Sequence, residues 1–228
     1  MGHAGPDIIT QSGPEIQIIP VNPLKNHAFI PDVNREKWLR WRNEAYTTFL
    51  RDVEIGYADK DLVGFIIDIF ERCNHLFTIS SCSGRITLVD SAFPWQRRES
   101  SVVFKKHDPI EVSEILSILT QPCVHRLWLI ASGPILHFVA DSWSSAQKLL
   151  GVAREAGFKH SGIISVRNDG IVIEVISGNW ISTLLKDGDK TLVNIDALPH
   201  IVAVFNQNLL DGKKRLRKLH ELVLKVFG

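Results

Sequence analysis

The chain changes character at Thr78-Ile79-Ser80-Ser81-Cys82-Ser83-Gly84-Arg85-Ile86, where small polar residues, a glycine and an arginine join two short apolar runs. A turn of this composition presents backbone N–H groups and hydroxyls in one concavity, which suits a carboxylate or a phosphate. Arg85 adds a guanidinium that can hold such an anion through two parallel hydrogen bonds. The alternatives are a solvated turn with Cys82 packed inward, or a nucleophilic Cys82, although no histidine adjoins it in sequence.

The segments on both sides of this turn alternate between strand-like and helix-like patterns. Strands are predicted near residues 77–79, 85–89, 102–105, 124–130 and 135–139, with a hairpin over 163–176 that turns at Asn168-Asp169-Gly170. Helices are predicted from Arg35, over 59–76, after an Asp108-Pro109 cap, over 142–157, and from Leu198 as one helix or two broken at Asp211-Gly212. Because strands and helices mix without strict βαβ alternation, we predict a single α+β domain that is not a Rossmann methyltransferase.

The beginning of the chain differs from the rest in composition. Half of the ten prolines lie within the first 31 residues, among Gly, Asn and isolated Ile-rich pieces. Such a segment is typical of a poorly structured arm or of one strand laid onto a folded body. We therefore predict a proline-rich N-terminal arm over residues 1–34 and a folded domain over residues 35–228.

Composition excludes several classes of protein. The 228 residues carry 26 Lys+Arg against 25 Asp+Glu, so the chain is not a polycationic coat protein. No apolar run reaches the ~18 residues that span a bilayer, and the N-terminus lacks the pattern of a signal peptide, so we expect a soluble intracellular protein. Three cysteines without Cys-x-x-Cys spacing indicate neither a disulfide framework nor a cysteine zinc site. No two glycines stand two apart, so an ordinary Rossmann cofactor site is not expected.

Several further residues are candidates for binding or catalysis, each with a structural alternative. His137 lies in an apolar strand, where a hydrogen-bonded core or edge histidine is the alternative. Ser161 and Gly162 lead into the predicted hairpin and could serve the backbone alone. Trp95 lies in a predicted loop, where it could stack on a base or cover the core. Lys213, Lys214, Arg215, Arg217 and Lys218 form a basic cluster, which suits RNA phosphates or a solvated helix face.

Four of these segments together resemble the tRNA wybutosine-synthesis methyltransferase family, the third protein of that pathway. They are the turn Ser80–Ile86, the strand Pro134-Ile135-Leu136-His137, the helix Ala146–Ala153 leading into Ala156-Gly157-Phe158-Lys159, and Ser161-Gly162-Ile163. The resemblance extends from Arg35 to Phe227. It implies a cytoplasmic enzyme that transfers a methyl group from S-adenosylmethionine to a ring nitrogen, N4. The implied substrate is a 7-aminocarboxypropyl-demethylwyosine-type base next to the anticodon of phenylalanine tRNA.

Together with the residue types described above, this reading leads us to expect roles for individual residues. Catalysis is expected from His137, Ser81 and Ser83, without a metal or a membrane. The residues expected to bind the cofactor are Ser80, Ser81, Cys82, Ser83, Gly84, Arg85, Ser161 and Gly162; those expected to bind the anticodon loop are Lys214, Arg215, Lys218 and Trp95. The chain departs from the family pattern at Gly133, His160 and Ile176. A non-catalytic tRNA-binding relative of the same fold is therefore the first alternative, and a Cys82-dependent hydrolase is the second.

Overall fold

In the described part of the chain, nine strands and five helices form one α+β unit. The structure, a computed structural model, describes residues 32–96 and 98–228. The arm predicted over residues 1–34 lies outside this part up to residue 31. The helices are α1 (Arg35–Glu54), α2 (Val63–Arg72), α3 (Val112–Leu119), α4 (Trp143–Glu155) and α5 (Leu198–Phe227). The strands are β1 (Leu76–Cys82), β2 (Arg85–Asp90), β3 (Ser101–Lys106), β4 (Arg126–Ser132), β5 (Ile135–Ala140), β6 (Gly162–Arg167), β7 (Gly170–Ile176), β8 (Trp180–Asp187) and β9 (Lys190–Thr191).

The strands form two antiparallel sheets, and the chain crosses from one sheet to the other at three places. The first sheet has the order β1-β5-β7-β6 and the second has the order β3-β2-β4-β8-β9. The chain passes between the sheets from β1 to β2, from β4 to β5 and from β7 to β8. These passages run through Ser83-Gly84, Gly133-Pro134 and Ser177-Gly178-Asn179, and we call the three together the crossing region.

Backbone contacts hold the crossing region together. The Gly133 N–H donates to the Asn179 carbonyl at 2.6 Å, and the Ser177 N–H donates to the Pro134 carbonyl at 2.9 Å. Gly84 has a φ of +98°, and a Cβ there would lie 2.9 Å from the Ser132 carbonyl oxygen. The glycine in the Ser83-Gly84 turn is therefore required both by its backbone conformation and by the close approach of a neighbouring strand.

Two apolar cores lie on the two sides of the crossing region. The first core contains buried side chains of α2, α4 and the first sheet, and Trp38 of α1 packs edge-on against Phe77 with ring centroids 5.1 Å apart. The second core joins α3 to the second sheet. Helix α5 contributes to both: Leu198 to Leu209 face the second core, and Leu216 to Val223 face the first. Gly212 lies between these two stretches, where a Cβ would come within 2.8 Å of Pro134 Cδ.

The α+β class and most elements predicted from sequence are confirmed. Ser142 caps α4, the hairpin turns between Arg167 and Gly170, and the C-terminal segment is one unbroken helix. Two predicted boundaries are wrong. Helix α2 ends at Arg72, and Leu76 begins β1, because Cys73 already has an extended backbone. Helix α3 begins only at Val112, since Glu111 and Glu114 form its capping box in place of the predicted Asp108-Pro109 cap.

None of the helices in residues 32–96 and 98–228 has both the length and the apolarity that crossing a membrane requires.

Candidate active site at the sheet crossings

The small polar turn singled out by the sequence forms the end of β1 and the first passage of the crossing region. The Ser83 N–H donates to Asp59 Oδ2 at 2.7 Å, so a carboxylate already accepts from one of the turn's N–H groups. The Ser81 hydroxyl oxygen is buried and finds no hydrogen-bond partner among the described residues. Arg85 is exposed, and no ion pair within the described ranges involves it. The exposed Arg85 guanidinium is therefore available to a ligand, whereas the Ser81 hydroxyl is buried and the Ser83 N–H is already bonded.

Three side chains from separate parts of the chain meet at this turn. Asp59 comes from the loop between α1 and α2, Cys82 ends β1, and His107 follows β3. Each brings one ligand-type atom within 4.8 Å of the other two. His107 Nδ1 lies 2.8 Å from the Gly84 carbonyl oxygen and 3.2 Å from Asp59 Oδ2. We call Asp59, Cys82 and His107 the thiol centre.

Electrostatics distinguish Cys82 from the other two cysteines. Burial acts to raise the pKa of the Cys82 thiol, but the hydrogen bond with His107 and the Gly84 N–H outweigh it, so the pKa is lowered. The pKa of His107 is raised, mainly by its hydrogen bond with Cys82 and by the Asp59 carboxylate, against the effect of burial. Burial raises the pKa of Cys73 and of Cys123 to about 11. Cys82 is therefore the thiol with the greatest thiolate character.

A cavity of about 300 Å³ opens between α2 and α5. Its lining combines acidic, basic and apolar side chains: Asp61, Phe65, Asp108, Pro109, Leu210, Lys213, Leu216, Arg217 and His220. Asp61 and Asp108 belong to the same two loops as Asp59 and His107. Lys213 is largely buried and forms an ion pair with Asp61. The cavity has the size of a pocket for a small organic molecule, and charges of both signs line it.

His137 lies on β5, the strand that pairs with the Cys82 strand β1. It stands opposite Ser80 on one side and Glu174 on the other, and Glu174 stands opposite Gly162. Its Nε2 lies 3.2 Å from Glu174 Oε2. The structure thus places three sequence candidates, Ser80, His137 and Gly162, in one row across the sheet, with Glu174 as an acidic neighbour that the sequence did not indicate.

Ser161 is buried and its hydroxyl is fully engaged with the backbone. The hydroxyl donates to the Phe158 carbonyl at 2.9 Å and accepts from the Ile176 N–H at 3.2 Å. These two bonds tie the end of α4 to the last residue of β7. They account for a serine at this position without a ligand.

The side chains of the basic cluster on α5 have different neighbours. Lys213 and Arg217 line the cavity, and Lys218 donates to the Glu155 carbonyl at 2.8 Å. Arg215 forms an ion pair of 2.9 Å with Asp211. Lys214 is exposed and forms no hydrogen bond or ion pair with the described residues. Of the three cluster residues predicted to bind RNA, Lys214 therefore has the most freely available charge.

Trp95 belongs to an exposed aromatic pair in the loop between β2 and β3. Its side chain is stacked on Phe93, with ring centroids 5.1 Å apart and an interplanar angle of 10°. Trp95 is 72% exposed and Phe93 is 46% exposed. The alternative that Trp95 covers the core is thus excluded, and a flat apolar surface is available to solvent.

The three departures noted in the sequence lie around the last passage of the crossing region. A Cβ on Gly133 would come within 2.8 Å of Asn179 Cβ and 2.9 Å of Ser177 Oγ. The His160 ring lies close enough to Gly178 that a Cβ there would meet it at 3.2 Å. Ile176 directly precedes Ser177. The three positions therefore lie in one local packing arrangement.

Sequence patterns did not identify Asp59, Asp61 or His107 as site residues, and they indicated Lys213 only as part of the basic cluster. Asp59 was visible only as a possible helix cap, and it does cap the 3₁₀ turn Lys60–Leu62. His107 follows a strand, which in itself carries no signal of function. The fold brings Asp59 and His107 to Cys82 from 23 and 25 positions away along the chain. Asp59, Cys82 and His107 also carry oxygen, sulfur and nitrogen atoms of the kinds that coordinate divalent metals. Asp59 and His107 already form hydrogen bonds with the backbone of the Ser83-Gly84 turn.

Known proteins match nearly the whole described chain. The family model described as Methyltransferase TYW3 matches residues 37–225. A protein of Saccharolobus solfataricus named tRNA(Phe) 7-((3-amino-3-carboxypropyl)-4-demethylwyosine(37)-N(4))-methyltransferase is 38% identical over 186 residues, which are 82% of this chain and 89% of the relative. An Aeropyrum pernix protein of the same name is 37% identical over 174 residues, 74% of this chain and 92% of the relative. The solved structure of the PH1069 protein from Pyrococcus horikoshii superimposes with a TM-score of 0.77 at 27% identity, covering 82% of this chain and 95% of that one.

Proposed function

The chain belongs to the Methyltransferase TYW3 family, and from this we propose that it methylates N4 of 7-(3-amino-3-carboxypropyl)-4-demethylwyosine at position 37 of tRNA(Phe). The observation that carries the proposal is the match of 38% identity across 89% of a relative named for that activity. The family resemblance seen in the sequence is thereby confirmed. The protein is a tRNA methyltransferase, and we propose that it acts in the cytoplasm.

We propose S-adenosylmethionine as the methyl donor, held in the cavity between α2 and α5. When bound, it supplies a methyl group on a positively charged sulfonium. The mixed lining fits its parts: Lys213 and Arg217 suit the carboxylate, Asp61 and Asp108 suit the ammonium and ribose hydroxyls, and Phe65 and Leu216 offer apolar surface for the adenine. In this arrangement Ser80, Ser81 and Arg85 lie outside the cavity lining, and we assign the two exposed residues, Ser80 and Arg85, to an RNA phosphate instead of the cofactor carboxylate.

The tRNA would approach from the exposed groups around the crossing region. A base in an anticodon loop can be splayed out at a lower unstacking cost than one in a duplex. The Phe93–Trp95 pair provides a stacking surface for a neighbouring base, and Lys214 provides a free charge for a phosphate. His137, with Glu174 as its partner, would orient the target base, while Gly162 leaves open surface beside them.

The test is methyl transfer to tRNA that carries the unmethylated tricyclic precursor. The protein is incubated with S-adenosylmethionine and this tRNA, and the nucleosides are then analysed by mass spectrometry. A methyl increment on the tricyclic nucleoside is expected, and tRNA(Phe) with unmodified guanosine at position 37 serves as the control that should remain unchanged. Binding of the precursor tRNA without any increment would favour the non-catalytic relative. Thiol-dependent hydrolysis without methyl transfer would favour the hydrolase.

A further inference from the structure

Packing alone does not explain why the side chains of Asp59, Cys82 and His107 lie so close together in the thiol centre. Asp59 accepts from the Ser83 N–H at 2.7 Å and lies 3.2 Å from His107 Nδ1, so this carboxylate fixes both the turn and the imidazole. The Asp59 side chain is 9% exposed, whereas the His107 side chain is 31% exposed. A buried acid thus lies beside a half-buried imidazole, which in turn is hydrogen-bonded to the Cys82 thiol. This order is the arrangement in which an imidazole stabilises a neighbouring thiolate.

The loops that carry Asp59 and His107 also line the proposed cofactor cavity. His107 is directly followed by Asp108, and Asp59 is followed two residues later by Asp61; both of these acids line the cavity. The two loops that hold the imidazole and the carboxylate therefore also form part of the cavity wall. The residue after Cys82 reaches this wall as well, since the Ser83 hydroxyl lies 3.5 Å from Asp61 Oδ2.

Methylation of N4 releases a proton, and a group near that nitrogen must accept it. We propose that Cys82 is the base for methyl transfer, with His107 and Asp59 as positioning residues that keep its sulfur ionised. In this step the N4–H bond breaks and the proton passes to Cys82 Sγ. The electron pair on N4 forms the bond to the methyl carbon, and the electron pair of the methyl–sulfonium bond stays on the departing sulfur. A thiolate and a sulfonium are thereby converted into a thiol and a neutral thioether.

This assignment rests on the proposed function and adds the residue that carries the proton. General bases work best when their pKa lies close to the working pH, and a lowered thiol pKa moves Cys82 in that direction. His137, on the strand paired with that of Cys82, has its Nε2 3.2 Å from the Glu174 carboxylate, which suits orientation of the base more than removal of this proton. The Cys82 centre and His137 therefore have separable roles.

The first experiment compares the single-turnover rate of methyl transfer in Cys82→Ala, Cys82→Ser and wild-type protein. Removal of a general base typically lowers the rate by ~10²–10⁴-fold, and we expect a loss in this range for both variants with unchanged affinity for the precursor tRNA. Cys123→Ser is the matched control, because Cys123 lies in the loop before β4 and hydrogen-bonds to Asp90. It should retain the wild-type rate.

The second experiment tests His107 without relying on turnover. Each cysteine is alkylated with iodoacetamide near pH 7, and the rate at each site is followed by peptide mass spectrometry. Cys82 should react at least tenfold faster than Cys73 and Cys123, and His107→Gln should remove most of this advantage, since each pKa unit changes the thiolate fraction about tenfold. In methyl transfer, His107→Gln should move the acid limb of the rate–pH profile to higher pH.

The outcomes separate this inference from the function on which it rests. If wild-type protein methylates the precursor and Cys82→Ala does so at the same rate, the base is another group and the inference is wrong, while the proposed function stands. If His107→Gln leaves both the Cys82 alkylation rate and the pH profile unchanged, His107 does not position the thiolate. If wild-type protein methylates no precursor, the proposed function fails first and this role for Cys82 fails with it.

Discussion

Replacement of Gly212 by alanine should reverse the usual sign of a glycine-to-alanine change in a helix. In a helix interior alanine is favoured by about 1 kcal/mol, because glycine has greater backbone freedom to lose on folding. At Gly212 the new Cβ would lie 2.8 Å from Pro134 Cδ and 3.3 Å from Gly133 Cα. These atoms belong to a proline ring and to backbone, and Gly133 is itself enclosed by Ser177 and Asn179, so they have little room to move. Overpacking of this kind costs about 1–3 kcal/mol, which leaves a net loss of about 0–2 kcal/mol.

Gly151 provides the matched control for this substitution. It also lies within a helix, α4, and an added Cβ would meet nothing within 4 Å. Gly151→Ala should therefore stabilise the protein by up to about 1 kcal/mol. The free energies of unfolding of the two variants, measured by urea denaturation, should differ by about 1–3 kcal/mol. In a chain of this size each kcal/mol also shifts the melting temperature by about 2–4 °C.

One result would refute the packing argument. If Gly212→Ala stabilises the protein as much as Gly151→Ala does, then α5 can move away from the crossing region at no cost. In that case Gly212 is not required by the close approach of Pro134. If Gly212→Ala changes only the slope of the unfolding free energy against urea concentration, the substitution has altered the compactness of the folded or the unfolded state and has not caused a packing defect.

Three further predictions concern RNA binding and pH. Lys214→Gln should flatten the log–log dependence of tRNA affinity on salt by about 0.7–0.9, the share of one phosphate contact, whereas Lys225→Gln on the same helix should not; equal slopes for both would remove Lys214 from the interface. Trp95→Ala should weaken tRNA binding by about 1–3 kcal/mol through lost stacking while the melting temperature stays unchanged, and unchanged affinity in a filter-binding assay would contradict this. Asp90→Ala should cost about 1–3 kcal/mol at neutral pH, because the Val124 and His125 N–H groups, at 2.7 and 2.8 Å, lose their acceptor. Burial acts to raise the pKa of Asp90, but these N–H groups outweigh it, so the pKa in the folded protein is lowered. The free energy of unfolding that wild-type protein gains over Asp90→Ala, measured by urea denaturation, should therefore be complete above the usual carboxyl pKa of 3.8 and should decline as the pH falls through the lowered pKa of the folded state. A gain that persists in acid would show that the charge of Asp90 is not involved.

Local patterns in the sequence were sufficient for most elements of the fold. Local apolar patterns predicted a helix from Arg35 and another over 142–157, and Asn168-Asp169-Gly170 predicted the hairpin. Each of these signals depends on residues a few positions apart. The division into two sheets depends on which strands pair over long distances, and strand-like runs do not carry that information. The crossing region could therefore not be predicted, although the Ser83-Gly84 turn within it was recognised as unusual.

The candidate site was predictable only where its residues share a continuous motif. Cys82 and Ser83 were singled out because small polar residues between two strands are uncommon. Asp59 and His107 reach the same point through α2 and β3, and neither has a sequence neighbour that marks it. The carboxylate that accepts from Ser83 also changes the chemistry of the turn from an anion cradle to a site with its own negative charge. Such a charge is visible only once the loops are folded together.

The crossing region has a consequence for how this architecture can be inherited. A gene segment that encodes every strand of the second sheet, from Arg85 to Thr191, necessarily encodes β5, β6 and β7 of the first sheet as well. No single break point in the coding sequence separates one sheet from the other, and α5, at the far end of the chain, completes both cores. Recombination within this region would therefore leave two incomplete sheets instead of one intact half. The fold can be gained, lost or duplicated only as nearly the whole described chain.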